Sequence, residues 1–305
     1  MIGAENAAPL APVDGLEHHD PGRRSPRQDA WRRFRRNRYA LAGMIILLLI
    51  TLAAIFAPLI TSYDPTAIPR GSDVVYKAGP SAEHWFGTDK VGRDIYTRVI
   101  YGARISLFIG LSATLIEVVI GIVVGAFAGW YGKLTDQVLM RIVDILLAIP
   151  YIILAIAVIG AIGRGISAVI ITLGITAWLG TARVLRAGFL QTKEREYVEA
   201  ARAGGCSDFR IVWRHLLPNT VQPIIVYSAI GVGSAILSEA ALSFLGVGVQ
   251  EPTPSWGLMI QQGQEFLSEA PAMFFFPAAF LFMTVLSFVL IADGLSDAFD
   301  TKQVV

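Results

Sequence analysis

Six apolar stretches, at about 39–60, 105–130, 141–162, 165–187, 221–247 and 273–293, dominate the chain. Each comes near the ~20 residues an α-helix needs to cross the hydrocarbon of a bilayer. In lipid every backbone N–H and C=O must be satisfied within the segment, so stretches this long are predicted as helices. The expected fold class is all-α: a polytopic membrane protein with six transmembrane helices. Charge agrees, because only 16% of the residues are Asp, Glu, Lys or Arg against about 25% in soluble domains. The run that starts near Tyr39 lies behind a polar arm and is long enough to span, so no secretory signal peptide is expected.

Positive charge sets an expected orientation. The arm over residues 1–38 contains Pro9, Pro12, Pro21 and Pro26 and reads as disordered. It ends in Arg23, Arg24, Arg27, Arg32, Arg33, Arg35, Arg36 and Arg38. Arginines crowded against a first span hold that end in the cytoplasm, and their position against a membrane helix argues against a nucleic-acid arm. Six spans then return the C-terminal tail, 296–305, to the same side. The loop at 248–272 has Glu251, Glu265 and Glu269 but no Lys or Arg, as an outside loop should. The segment 61–104 is expected outside as a cap or interaction surface. Its Arg70, Lys77, Lys90, Arg93, Arg98 and Arg104 count against that placement, although Asp64, Asp73, Glu83, Asp89 and Asp94 offset them. Trp130, Tyr131, Trp178 and Trp256 fall near predicted span ends and suit an aromatic belt.

One charged, helix-competent insert interrupts the apolar series, within 191–219. Thr192 is a plausible N-cap, with Glu194 and Glu196 in a first turn. Ala200, Ala201 and Ala203 favour helix, and Gly204-Gly205 permits a sharp reversal. Ser207 is placed to cap a second helix whose Phe209, Val212, Trp213, Leu216 and Leu217 share one side, and Pro218-Asn219 is expected to end it. Two readings fit: a helix laid into a partner's groove, or an amphipathic hairpin packed on its own bundle. Glu199 has Arg195 and Arg202 at helical spacing and is open to surface pairing as well.

Glu199-Ala200-Ala201, then Gly205, then Leu217-Pro218, resembles the EAA loop of the membrane subunits of ATP-binding-cassette importers. Other matches narrow the group: Phe86-Gly87-Thr88-Asp89, Gly92-Arg93-Asp94, Gly102-Ala103-Arg104, Met140-Arg141-Ile142-Val143-Asp144 with Pro150, Pro254-Ser255-Trp256-Gly257 and Asp293-Gly294-Leu295 with Asp297 and Asp300. Together they are similar to the C-type permease of the dipeptide, oligopeptide and nickel group, from about residue 30 to 302. Gly204, Cys206 and Thr301 depart from the usual pattern.

The resemblance implies a type I importer fold with a core over 105–295 behind the first helix at 39–60. Glu199, Ala200, Ala201, Gly205, Leu217 and Pro218 would couple it to the ATPase. It also implies a second, homologous permease, two ATPase subunits or domains that hold ATP and Mg, an extracytoplasmic binding protein and a peptide substrate. Nickel chelates or another small solute are the alternative cargo.

The chain itself is expected to bind no cofactor or nucleic acid and to catalyse nothing. It lacks a GxxxxGK[ST] loop, and its four histidines form no zinc motif with the lone Cys206, which also has no disulfide partner. Gly110, Ser112, Gly121, Gly125 and Gly129 suit close helix packing. Arg141 and Asp144, three apart, are expected to pair. Glu239 either lines the pathway or packs, and Glu117 is left open. A secondary carrier would need repeated broken helices at midplane, and none is evident in the sequence.

Overall fold

The computed structural model describes residues 26–71 and 74–299. The first 25 residues of the polar arm, with Arg23 and Arg24, and also Asp73, Asp300 and Thr301, lie outside the described residues. The described residues open on α1 (Pro26–Phe34), so the end of the arm is helical. Phe34 is buried with Ala40 and Ala298, which docks α1 on the far end of the last helix. Asn37 accepts from the amides of Tyr39 and Ala40, capping α2 (Arg38–Ile55), and donates to Asp297 at 3.0 Å. A short turn, α3 (Ala57–Ile60), follows.

The long helix α4 (Ile95–Tyr131) begins ten residues before the first apolar position of the predicted span, because Asp94 caps it by accepting from the Thr97 amide at 2.7 Å. Next come α5 (Lys133–Leu147) and α6 (Tyr151–Ile162), which meet at a 94° bend. The predicted third span is therefore a broken pair. Pro150 lacks an N–H and restricts Ile149 before it, so the helix stops there and restarts at a new angle. This is the kind of break the sequence did not reveal, and it is the one bent pair among the described residues.

Helices α7 (Ile166–Ala177) and α8 (Leu179–Thr192) together make one 27-residue span. The insert gives α9 (Glu196–Ala203), α10 (Asp208–Ile211) and a π-helical turn over Val212–Leu216 that runs into α11 (Leu217–Phe244). A short helix, α12 (Trp256–Gln264), and a further span, α13 (Ala272–Phe299), complete the described residues. Among the described residues, five helical segments are long and apolar enough to cross a membrane, or six if the bent α5–α6 pair counts as one.

Helices approach closely where side chains vanish. Gly121, Gly125 and Gly129, four residues apart on one face of α4, lie against α8. A Cβ on them would come within 2.6 Å of Thr181, of the Ala182 carbonyl and of the Phe189 Cβ, respectively. Lipid tails offer no hydrophobic drive for helix association, so close van der Waals contact of this kind holds the bundle.

At one end, the described residues of 61–94 fold into a cap rather than an open loop. Asp89 accepts from the Arg93 amide and from Arg93 Nε at 2.6 Å, and Arg93 Nη2 reaches Glu251 at 3.0 Å. Arg98 donates to the Pro65 carbonyl at 3.0 Å, and Phe86 stacks on Phe276 with centroids 3.8 Å apart. Burial raises the Glu251 carboxyl, but the hydrogen bond and charge of Arg93, with Arg98 and Gln262, outweigh it and hold the group below the usual carboxylate range. Lys77 pairs with Glu269, and Arg104 donates to the carbonyls of Ala54 and Ile55. Four of the six basic residues that counted against an outside placement are thus engaged inside the fold, where they report packing rather than orientation. Replacing Arg93 with leucine takes the hydrogen-bonded cation from buried Asp89 and leaves it Arg98 Nε at 3.8 Å, which is expected to destabilise the cap by at most about 3–5 kcal/mol. Lys77→Ala, at a half-exposed pair, should cost at most about 1 kcal/mol. Thermal unfolding of the two purified variants separates these outcomes.

Trp256 is no belt residue. It is fully buried, donates from Nε1 to the Val99 carbonyl at 3.0 Å, and packs with Ala103, Ala240 and Phe288. Trp178 sits at the α7–α8 junction, donating to the Ile175 carbonyl at 3.0 Å.

Candidate docking surface

The opposite end of the bundle presents the insert as a hairpin. Thr192 proves to be the last residue of α8, and α9 starts at Glu196 with Arg195 at the N-cap position. Glu196 and Glu199 then occupy the first turn, where carboxylates complement the helix dipole. The helix stops in a Schellman closure: Gly205 N–H donates to the Arg202 carbonyl at 3.0 Å and Cys206 N–H to the Ala201 carbonyl at 3.1 Å. Gly205 holds φ +76°, a left-handed conformation that glycine adopts without a Cβ penalty, and a Cβ there would meet open space.

Ser207 stands at the N-cap position of α10 but makes no side-chain cap. Pro218 does not end the second helix. The π-turn lets Leu217 N–H reach back five residues to the Val212 carbonyl, and Pro218 falls in the first turn of α11, where a missing N–H costs nothing.

Three apolar residues seat the hairpin. Val198, Ile211 and Leu216 are fully buried against Leu185 and Phe189 of α8 and Ile224 of α11. Burying each is worth about 1.5–3 kcal/mol. Ala201, Cys206, Val212 and Leu217 are half-buried around them, and the Arg202 guanidinium lies 5.3 Å from the Trp130 ring centroid. Two of these anchors, Val198 and Ile211, fall outside the apolar side read from the sequence. That side is split instead: Leu216 is buried, whereas Phe209 is 73% and Trp213 55% exposed.

The remaining face is open. Glu199, Ala200, Gly205 and Pro218 are exposed, and neither Arg195 nor Arg202 pairs with Glu199 among the described residues. The packed reading of the insert therefore holds for one face, and the other face is left exposed. A seated hairpin turns a small-residue surface and an unpaired carboxylate outward.

The charges of the spans sort differently from expectation. Asp144 bonds Arg183 of α8 at 2.5 Å rather than Arg141, and Asp136 takes Arg186 in a two-pronged pair. These two bridges tie α5 to α8, because α8 faces Asp144 while Arg141 lies along its own helix. Glu239 is fully buried, with Ser243 donating to one carboxylate oxygen at 2.7 Å and Ser106 to the other at 3.2 Å. It sits in packed protein. Glu117, in α4, borders a cavity of about 510 Å³. No group of three His, Cys, Asp or Glu side chains suited to a metal occurs among the described residues.

Among the described residues, a helical bundle of five or six candidate spans, with one bent pair and a seated hairpin at one end, is the architecture of a polytopic membrane protein. The chain belongs to the family of binding-protein-dependent transport system inner membrane components, whose pattern matches residues 121–305. A second pattern, the N-terminal TM domain of oligopeptide transport permease C, matches residues 25–80.

Among curated relatives, the dipeptide transport system permease protein DppC of Bacillus subtilis is 44% identical over 90% of this chain and 85% of its own. The oligopeptide transport system permease protein OppC of Bacillus subtilis is 42% identical over 90% and 89%. The glutathione transport system permease protein GsiD of Escherichia coli is 42% identical over 98% and 96%. Among solved structures, an inward-facing form of the MetNI methionine ABC transporter superposes with a TM-score of 0.54 at 21% identity, over 65% of this chain and 94% of that one. The fold is that of a type I ATP-binding-cassette importer permease.

Proposed function

We propose that the chain forms half of the translocation path of a peptide importer. It would pair with a homologous permease, with two ATPase subunits docked on the α9–α10 hairpin. The observation that carries this reading is the hairpin itself: anchored by Val198, Ile211 and Leu216, it displays Glu199, Ala200 and the Gly205 turn as an exposed surface among the described residues. In this reading Ala201, Leu217 and Pro218 transmit force at the hairpin's base, joining it to α11. ATP and Mg belong to the partner subunits, and this chain supplies no cofactor site.

The hairpin end and both termini face the cytoplasm. The 61–94 cap and the 248–272 loop face outward, where an extracytoplasmic binding protein delivers peptide. Closure of the ATPases moves the hairpin as a rigid lever, and the bundle alternates between outward and inward access because both sites bias one two-state equilibrium. Peptide as cargo rests on relatives of dipeptide, oligopeptide and glutathione transport systems.

Copurification tests the assembly. A tagged chain is expected to bring down a second permease and an ATPase pair from membranes, and recovery of the chain alone would overturn the reading.

A further inference from the structure

A carboxylate within an apolar span is costly unless it is paired or faces a polar cavity. Glu239 is satisfied twice over. Glu117 is satisfied by half: Thr181 donates to its Oε1 at 3.0 Å, and no residue is bonded to Oε2 among the described residues. A Cβ on Gly231 would stand 3.3 Å from that oxygen, so the glycine keeps the space beside it clear.

The space is the 510 Å³ cavity. Its wall combines α4, the Pro150 bend between α5 and α6, the α7–α8 span and α11. Tyr151, Thr176, Tyr227, Ser234 and Ser238 give it hydroxyls, while no Lys, Arg or His lines it among the described residues. A single carboxylate ringed by hydroxyls, with no protein cation opposite, lacks its counter-charge. A primary ammonium supplies that charge and three N–H donors, which suit one carboxylate oxygen and neighbouring hydroxyl oxygens.

We infer that Glu117 binds the amino-terminal ammonium of the peptide in transit, making this cavity a point where the permease itself favours solutes with a free amino group. The inference deepens the peptide-importer reading and rests on it. Glu117 acts on the cargo, whereas the hairpin acts on the motor.

The test uses the complete transporter in ATP-loaded proteoliposomes, with dialanine and N-acetyl-dialanine as probes. Uptake is scored per mole of peptide-loaded binding protein, so the binding protein's own preference drops out. The wild type is expected to move dialanine faster than its acetylated form. Glu117→Gln keeps an acceptor for Thr181, so the fold should hold, and its dialanine rate is expected to fall about tenfold, the effect of one lost charge-assisted contact. Its rate for N-acetyl-dialanine should stay put, which erases the preference. Glu117→Asp keeps the charge and should keep the preference. An undiminished preference for dialanine in Glu117→Gln would overturn the inference and leave the importer reading intact. A wild-type transporter that moves neither probe with ATP would instead remove the peptide reading, and this inference with it.

Discussion

Gly125→Leu is expected to prevent the native bundle from assembling. A Cβ at this position already falls 2.6 Å from the Ala182 carbonyl oxygen and 2.9 Å from the Leu185 Cβ. The first of these is backbone, so no rotamer change relieves the clash, and α4 and α8 must separate. Overpacking costs about 1–3 kcal/mol where neighbours can shift, and here the loss extends along the whole glycine face. Thermal unfolding in detergent should show a large fall in midpoint or no cooperative transition. Val119→Leu on the exposed side of the same helix is the control and should melt like the wild type. A Gly125→Leu protein that unfolds at the wild-type temperature would show that the α4–α8 contact is not what holds the bundle.

The second large effect is functional rather than structural. Gly205→Trp is expected to cut uptake by tenfold or more, about 1.4 kcal/mol of coupling, while the chain still inserts and folds. Two causes add. The left-handed backbone costs a residue with a Cβ roughly 1–2 kcal/mol, and the indole would project into the open space where the proposed ATPase sits. Gly205→Asn separates them, since asparagine tolerates this backbone region and is short. Uptake retained by the asparagine variant and lost by tryptophan assigns the effect to the docking surface. Normal uptake by Gly205→Trp would end the coupling role proposed for this turn.

The spans and the insert were legible because both depend on local pattern: apolar length for the first, and Gly204-Gly205 between two helix-forming runs for the second. What the sequence withheld is directional. Counting apolar residues over 141–162 gives a span of the right length and says nothing of the 94° bend, although Pro150 marks its place. Arg141 is the near partner of Asp144 in sequence, yet Arg183 from another helix reaches it at 2.5 Å. Glu117 and Glu239 look alike in a hydropathy trace. They differ only in what faces them from distant segments, serines around Glu239 and a cavity beside Glu117. Trp256 misled for a related reason: proximity to a span end suggests an interfacial ring, whereas Gly102 leaves room for the indole inside.

The Schellman closure and the three buried anchors bear on how a complex would be built. A loop that folds only on contact must lose its conformational freedom at the moment of binding, which slows and weakens association. Here the carbonyls of Ala201 and Arg202 are already occupied and Val198, Ile211 and Leu216 already seated in the free chain. The surface proposed to dock the ATPase would thus be folded before any partner arrives. The same readiness carries a liability, because an orphaned chain exposes Phe209 and Trp213 to whatever patrols the membrane surface.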